Sequence, residues 1–164
     1  LVAKNESPKQ YGHLFDTISI CLSKGLGAPV GSILLGSKKD IAKALRIRKL
    51  FGGAMRQVGF LAAAAIYALD NHVERLADDH QKAREIGALL ETLSYVTKVE
   101  PIETNIIIFY VDKKIGADNF IDKMKDKNIL LTPMGEGRIR IVTHLDYTNE
   151  MHDILLKELN FFKK

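Results

Sequence analysis

The sequence has very little cysteine and no long apolar run, and each shortage excludes a class of protein. Cys21 is the only cysteine in 164 residues, whereas small secreted domains depend on several paired cysteines. The longest apolar run, Gly59–Leu69, is short of the roughly 20 residues that span a bilayer. No charged leader with an apolar core opens the chain, so no secretory signal is visible. We therefore expect a cytoplasmic protein without a membrane partner.

Metal and nucleic-acid sites are also not indicated. The five histidines and the single cysteine do not form a zinc-binding pattern. The net charge of +4 is mild, so it permits an anionic ligand without requiring a nucleic acid. Hydrophobic residues make up 46% and charged residues 27% of the chain, which is typical of a globular protein. We expect no metal and no nucleic-acid partner.

The first part of the chain alternates strand and helix signals. Apolar and β-branched residues predict a mostly buried strand over Phe15–Leu22 and a second strand over Val30–Leu35. An apolar stripe among lysines and arginines predicts a helix over Lys38–Leu50. A long helical pattern then runs from Arg56 to Leu93. Its first half is apolar on every side and should be buried, and its second half is amphipathic, as expected of a connector between domains.

The pattern changes after residue 95 to that of a small α+β unit. Strands are predicted over 96–99, 105–111 and 137–143, with helices over 116–127 and 149–162. The predicted domains are therefore 1–70, a connector at 71–95, and 96–164. Alternation within the strands and helical spacing predict a core made of Ile106, Ile108, Ile139, Ile141, Leu155 and Leu159.

Lys24 is the first candidate for chemistry. It follows a predicted buried strand and precedes Gly25, and ligands in open α/β sheets bind at the carboxyl ends of strands. Partial burial would favour the neutral amine, which can form a Schiff base with a carbonyl. The alternative is a strand-end lysine that reaches into solvent. A dinucleotide loop is excluded because Val30 stands where the glycine pattern requires glycine.

Two further groups of cations are candidates for binding anions. Arg138 and Arg140 share one face of a predicted strand, and arginine binds a carboxylate through two parallel hydrogen bonds. His144 follows this strand and has the pattern of a loop histidine. Lys49 and Arg56 flank a Gly-Gly turn before the long helix, where an anion would be favoured. An exposed sheet face lined with solvated arginines is the more common explanation of the first group, and a basic surface helix explains the second group equally well.

Three blocks of sequence carry a resemblance to a known family. They are FDTISICLSKGLGAPVGSILLGS, RIRKLFGGAMRQVGFLAAAAIYAL and RIRIVTHLD. In this order they resemble the low-specificity L-threonine aldolases, which use pyridoxal 5′-phosphate (PLP) and have the type I fold of PLP-dependent transferases. The resemblance implies an α/β fold, made of the end of the large PLP-binding domain and a small α+β C-terminal domain.

The resemblance also implies roles for individual residues. Lys24 would form the Schiff base with PLP, and Arg140 would bind the α-carboxylate of the amino-acid substrate. Ser23, Lys49 and Arg56 match positions at the cofactor. The implied reaction is the cleavage of L-threonine or L-allo-threonine to glycine and acetaldehyde, in a homodimer or homotetramer.

Family members carry further cofactor contacts before the position that matches Leu1. These are the aspartate at the pyridinium nitrogen, the phosphate loop and a histidine stacked on the ring. We therefore expect residues 1–164 alone to be an incomplete aldolase. Two alternatives stay open: another fold-type-I PLP enzyme, such as a β-eliminating lyase or an aminotransferase, and a basic interaction module without catalysis.

Overall fold

The computed structural model describes residues 1–162, and the chain divides into two compact units. Unit 1 is Leu1–Leu76, and unit 2 begins at Ala77. This division comes from the packing of the chain. The domain limits predicted from the sequence stay a prediction about the protein's domain organisation.

Unit 1 contains a two-stranded antiparallel sheet, three α-helices and a short 3₁₀ helix over Val2–Lys4. Strand β1 pairs with β2 so that Thr17 lies opposite Gly36 and Cys21 opposite Ser32. The bounds in chain order are α1 Pro8–Gly12, β1 Thr17–Cys21, β2 Ser32–Gly36, α2 Lys38–Leu50 and α3 Gly59–Asn71.

Helix α2 has the bounds that its sequence pattern predicts. Ser37 is its N-cap, and the Ser37 hydroxyl accepts a hydrogen bond from the Asp40 amide at 3.2 Å. This contact satisfies an amide that has no partner within the helix. Asp40 in the first turn and Lys49 in the last turn also complement the helix dipole. The predicted helix over Lys38–Leu50 is confirmed.

The predicted burial of unit 1 is wrong in two places. Strand β1 is mostly half-buried or exposed, and Phe15 beside it is exposed. Among the described residues β1 pairs only with β2, so the sheet is too narrow to enclose it. Helix α3 buries only Ala65 and Ala68, while Phe60 is 86% exposed. Its apolar composition was correctly recognised, but unit 1 covers only one of its sides.

The single long helix predicted from Arg56 to Leu93 is also wrong, because the chain forms two helices with a break between them. Helix α3 ends at Asn71, whose side-chain amide donates to the Tyr67 carbonyl at 2.8 Å. The His72 ring nitrogen Nδ1 then lies 2.6 Å from the Leu26 carbonyl oxygen. These polar contacts end the helix without a proline or glycine, and the next helix begins at Leu76.

Unit 2 is a four-stranded antiparallel sheet with three helices. Helix α4 starts at the last residue of unit 1, and the strand order is β3-β4-β6-β5. The bounds are α4 Leu76–Thr92, β3 Val96–Val99, β4 Ile106–Val111, α5 Ala117–Lys125, β5 Thr132–Pro133, β6 Arg138–Val142 and α6 Asn149–Asn160.

One face of this sheet and the three helices form a single apolar core, and the register predicted for β4 is wrong. Ile107 and Phe109 are fully buried, whereas Ile106 is 43% exposed and Ile108 is half-buried. Phe109 pairs with Ile139, so the two core faces coincide. The strand IIIFYV is apolar at every position, and alternation therefore could not distinguish its faces. The four other predicted core residues are confirmed: Ile139, Ile141, Leu155 and Leu159.

Candidate functional site

Lys24 lies in a closed loop that follows β1. The Gly27 amide donates to the Lys24 carbonyl at 2.8 Å, which makes a tight turn directly after the lysine. Leu22 fixes the base of the loop, because its carbonyl accepts from the Ala28 amide and its own amide donates to the Gly31 carbonyl, both at 3.0 Å. The lysine backbone is thus held at a defined place.

Two glycines give this loop its shape. A side chain at Gly25 would place its Cβ 3.0 Å from Leu76 Cδ2, so a larger residue would require the Leu76 side chain to move. Gly27 has φ +70°, a conformation that favours glycine. The bond between His72 and the Leu26 carbonyl fixes the same loop. These contacts fix the backbone of the glycine-rich loop that follows Lys24.

The side chains of Lys24 and its neighbour Ser23 are exposed. The expectation that Lys24 is partly desolvated is therefore wrong for the described chain, because the glycines beside it supply no side chains to cover the amine. Within residues 1–162, no ion pair joins Lys24 to a carboxylate. The amine is accessible to a carbonyl ligand.

Cys21 belongs to the surroundings of Lys24, which sequence analysis did not recognise. Its sulfur lies 3.5 Å from the Ser23 hydroxyl oxygen. Hydrogen bonds from the Ser23 side chain and backbone hold the pKa of the Cys21 thiol below its ordinary value, and the Lys24 charge acts in the same direction. The sequence signal was the spacing, since residues 21 and 23 share a side of an extended chain.

Lys49 and Arg56 are exposed on either side of the turn between α2 and α3. Lys49 is in the last turn of α2, and Gly52 in the turn has φ +76°. Arg56 precedes the start of α3 by three residues, so it is not in the first turn of the helix as the sequence suggested. Both cations belong to unit 1, as do Ser23 and Lys24.

Arg140 lies in unit 2, in the middle of β6, opposite Ile108 of β4 and Thr132 of β5. Its Nε is buried and has no hydrogen-bond partner among the described residues. Arg138, on the same strand face, behaves differently, because it forms an ion pair with Glu136 at 3.2 Å. A buried donor without a partner is costly, so Arg140 is the better candidate for binding an anion.

A cleft of about 490 Å³ adjoins Arg140. Its polar lining includes His144 and Tyr147, and the remaining lining is mostly apolar, with Met151 and Ile154 from α6. A cation in an apolar cleft suits a small ligand that carries both a carboxylate and an apolar group. Sequence analysis named Arg140 and His144 but missed Tyr147, because nothing in its local pattern indicates the cleft.

Comparison with known proteins identifies the family. The profile described as beta-eliminating lyase matches residues 1–114 of this chain. The chain belongs to the beta-eliminating lyase family. Similar members include the low specificity L-threonine aldolase of Escherichia coli strain K12, which is 42% identical over 142 residues, 87% of this chain and 41% of that protein. Low-specificity L-threonine aldolase 1 of Arabidopsis thaliana is 40% identical over 136 residues, 81% of this chain and 38% of that protein.

The chain thus spans about two fifths of the length of these relatives. Among solved structures, a candidate L-allo-threonine aldolase from Listeria monocytogenes matches with a TM-score of 0.77 and 18% identity, over 96% of this chain and 47% of that one. A decarboxylase from Sulfurospirillum multivorans matches with a TM-score of 0.69 and 18% identity, over 94% of this chain and 41% of that one. These likenesses confirm the predicted fold class, the α/β type I fold of PLP-dependent transferases.

None of the helices within residues 1–162 has the length and apolarity needed to cross a membrane. The same residues contain no cluster of three or more histidine, cysteine or acidic side chains that could hold a metal ion.

Proposed function

We propose that the protein containing this chain is a PLP-dependent threonine aldolase. It would split L-threonine or L-allo-threonine into glycine and acetaldehyde by breaking the Cα–Cβ bond. The observation that carries the proposal is the accessible Lys24 in a loop shaped by glycines, within a chain 42% identical to a low specificity L-threonine aldolase.

The residues of unit 1 fit PLP. Its aldehyde requires a primary amine without a carboxylate partner, which Lys24 provides. Its phosphate requires cations and hydroxyl donors, and we assign Lys49, Arg56 and Ser23 to the cofactor on this ground. When bound, PLP withdraws electrons from the amino acid and stabilises the negative charge that remains on Cα after the bond breaks.

In unit 2, we assign Arg140 to the α-carboxylate of the substrate. Its buried, unpartnered Nε would gain a charge-assisted hydrogen bond, and the planar guanidinium would fix the orientation of the carboxylate. Fixing the carboxylate limits rotation of the substrate and so sets the direction of the Cα–Cβ bond. A base takes the hydroxyl proton, the C–O bond becomes the carbonyl of acetaldehyde, and the electrons of the broken Cα–Cβ bond stay on Cα, which then receives a proton to give glycine.

We further propose that the protein works in the cytoplasm as a homodimer or homotetramer. The single cysteine supports a reducing compartment. Exposed apolar side chains on unit 1 support association with further polypeptide, and they include Leu50, Phe51 and Phe60.

Reduction with borohydride tests the proposal in the full-length protein. After incubation with PLP, reduction and peptide mapping should place the pyridoxyl group on Lys24, and the unreduced protein should release acetaldehyde from L-threonine. Labelling of Lys49 in place of Lys24 would refute the site. Labelling of Lys24 without acetaldehyde release from either isomer would refute the substrate and leave the cofactor assignment intact.

A further inference from the structure

A chain of hydrogen bonds in unit 2 connects Glu85 of α4, His152 of α6 and Tyr147, which precedes α6. His152, in the first turn of α6, is buried. Its Nε2 lies 2.9 Å from a carboxylate oxygen of Glu85 on α4, and its Nδ1 lies 3.2 Å from the Tyr147 hydroxyl. Both ring nitrogens therefore have partners, which a buried histidine requires.

The chemistry of the partners sets the direction of these bonds. An ionised carboxylate can only accept, so Nε2 of His152 donates to Glu85. In the neutral imidazole, Nδ1 is then the acceptor, and the Tyr147 hydroxyl donates to it. Burial raises the pKa of Tyr147, which keeps this hydroxyl protonated and able to donate. Glu85 thus fixes His152, and His152 fixes Tyr147.

Lys82 holds the same tyrosine from other directions. Its ammonium donates to the Tyr147 carbonyl at 2.7 Å and lies 5.4 Å from the centre of the Tyr147 ring. Lys82 and Glu85 are three residues apart on α4, so they lie on one face of the helix. Tyr147 is therefore held at its hydroxyl, its carbonyl and its ring.

This tyrosine lines the cleft that Arg140 lines. We propose that Tyr147, fixed by the Glu85–His152 pair, is a positioning residue for carboxylate binding in the Arg140 cleft. The proposal rests on the carboxylate role of Arg140 given above. A side chain that is already immobile loses little conformational entropy when a ligand binds. A fixed tyrosine in the lining also keeps the carboxylate directed at the guanidinium.

The test measures acetate binding, without catalysis, in the full-length protein. Arginine side chains are labelled with ¹⁵N, the Arg140 Nε resonance is assigned with Arg140→Lys, and acetate is titrated as the probe. Acetate should shift this resonance, and Tyr147→Phe should weaken acetate binding about two- to tenfold, because a side chain that is no longer fixed by His152 loses more conformational entropy when acetate binds. Tyr110→Phe is the matched control, because Tyr110 is a half-buried tyrosine of the same unit that does not line the cleft. It should leave the titration unchanged.

A second pair of variants tests whether Tyr147 acts through His152. In a His152→Gln background, Tyr147→Phe should have no further effect, because the bond it removes is already lost. If Tyr147→Phe does not fold, Glu85→Gln, at the exposed end of the chain of bonds, should weaken acetate binding in the same direction.

Three results would overturn the inference. They are an Arg140 resonance that acetate does not move, equal titrations in wild type and Tyr147→Phe, and fully additive effects of the two substitutions. The second of these results, accompanied by a lowered melting temperature, would show that Tyr147 has a structural role only. Acetate binding as expected, without aldolase activity in the full-length protein, would refute the proposed reaction and leave the positioning role standing.

Discussion

The two units differ in how much of their own apolar surface they bury. Among the described residues, the buried cluster of unit 1 is small and rich in alanine: Leu22, Ala28, Ala65 and Ala68. The cluster of unit 2 joins a sheet face to three helices and includes four side chains with no exposed surface that are among its largest: Phe109, Phe120, Ile86 and Leu90. Unit 1 instead leaves Phe51 87% exposed.

This difference shows that a unit can have well-defined local structure without burying enough apolar surface to be stable by itself. Helix α2 has a cap and the loop around Lys24 is closed by hydrogen bonds, so unit 1 has defined local structure. Burial of apolar surface supplies most of the stability of a fold, however, and unit 1 has little of it. The proposed covalent anchor thus lies in the unit with the smaller core, and the proposed carboxylate site lies in the unit with the larger core.

The largest expected effect concerns Lys24 of unit 1. In the full-length protein, Lys24→Ala should lower aldolase turnover by at least about a hundredfold, because the proposed Schiff base with the cofactor aldehyde needs this amine. Yellow absorbance with PLP and acetaldehyde release are the measurements. Lys38→Ala, another exposed lysine of unit 1, is the control and should behave as wild type. Equal losses in the two variants would contradict the assignment.

The next effect tests the carboxylate site of unit 2. Arg140→Ala should weaken amino-acid binding in the full-length protein by about 2–5 kcal/mol, as expected when one partner of a buried charged pair is removed. PLP binding should change little. Arg138→Ala should cost much less, because Arg138 already pairs with Glu136. Titration with L-threonine measures both, and equal effects would show that the strand face, and not Arg140, binds the substrate.

Core burial in unit 2 can be tested with one residue type on two faces of β4. Ile107→Ala should lower the free energy of unfolding by about 2–5 kcal/mol, since Ile107 is fully buried. Ile106→Ala should cost less than about 1 kcal/mol, because its side chain is half in water. Urea unfolding of the chain, followed by circular dichroism, measures the difference. A larger loss in the free energy of unfolding for Ile106→Ala than for Ile107→Ala would show that the opposite face of β4 is the buried one.

The sequence predicted the buried face correctly where polar and apolar residues alternate, and failed where all residues are apolar. Strand β6 alternates Arg138, Ile139, Arg140 and Ile141, so its two faces follow from the sequence, and the core face is confirmed. Strand β4 is apolar throughout, and its faces depend on packing that no local pattern records. The composition of α3 showed an apolar helix but did not show which of its sides unit 1 covers.

The candidate site likewise has features that the local sequence pattern predicts and features that only the tertiary fold creates. Lys24 and Arg140 are site predictions that motif and strand position support, and their roles stay predictions. The bond between His152 and Glu85 joins residues 67 positions apart, so only the tertiary fold brings them together. The exposure of Lys24 was not predictable either, because burial depends on neighbours from distant parts of the chain.

The smallest expected effect is a pH dependence of the free energy of unfolding that comes from Glu85. Hydrogen bonds, first from Gln81 and then from His152, hold the pKa of this carboxyl below its ordinary value. A lowered pKa stabilises the fold above the unfolded value of about 4.3, and this stabilisation is lost as the pH falls through the folded value. Glu85→Gln should therefore cost less than about 1 kcal/mol near pH 7, because water screens the half-exposed carboxyl, and the cost should shrink in acid. Urea unfolding across this pH range measures it. Glu91→Gln, on the exposed surface of α4, is the control, and a pH-independent cost at Glu85 would contradict the role of its charge.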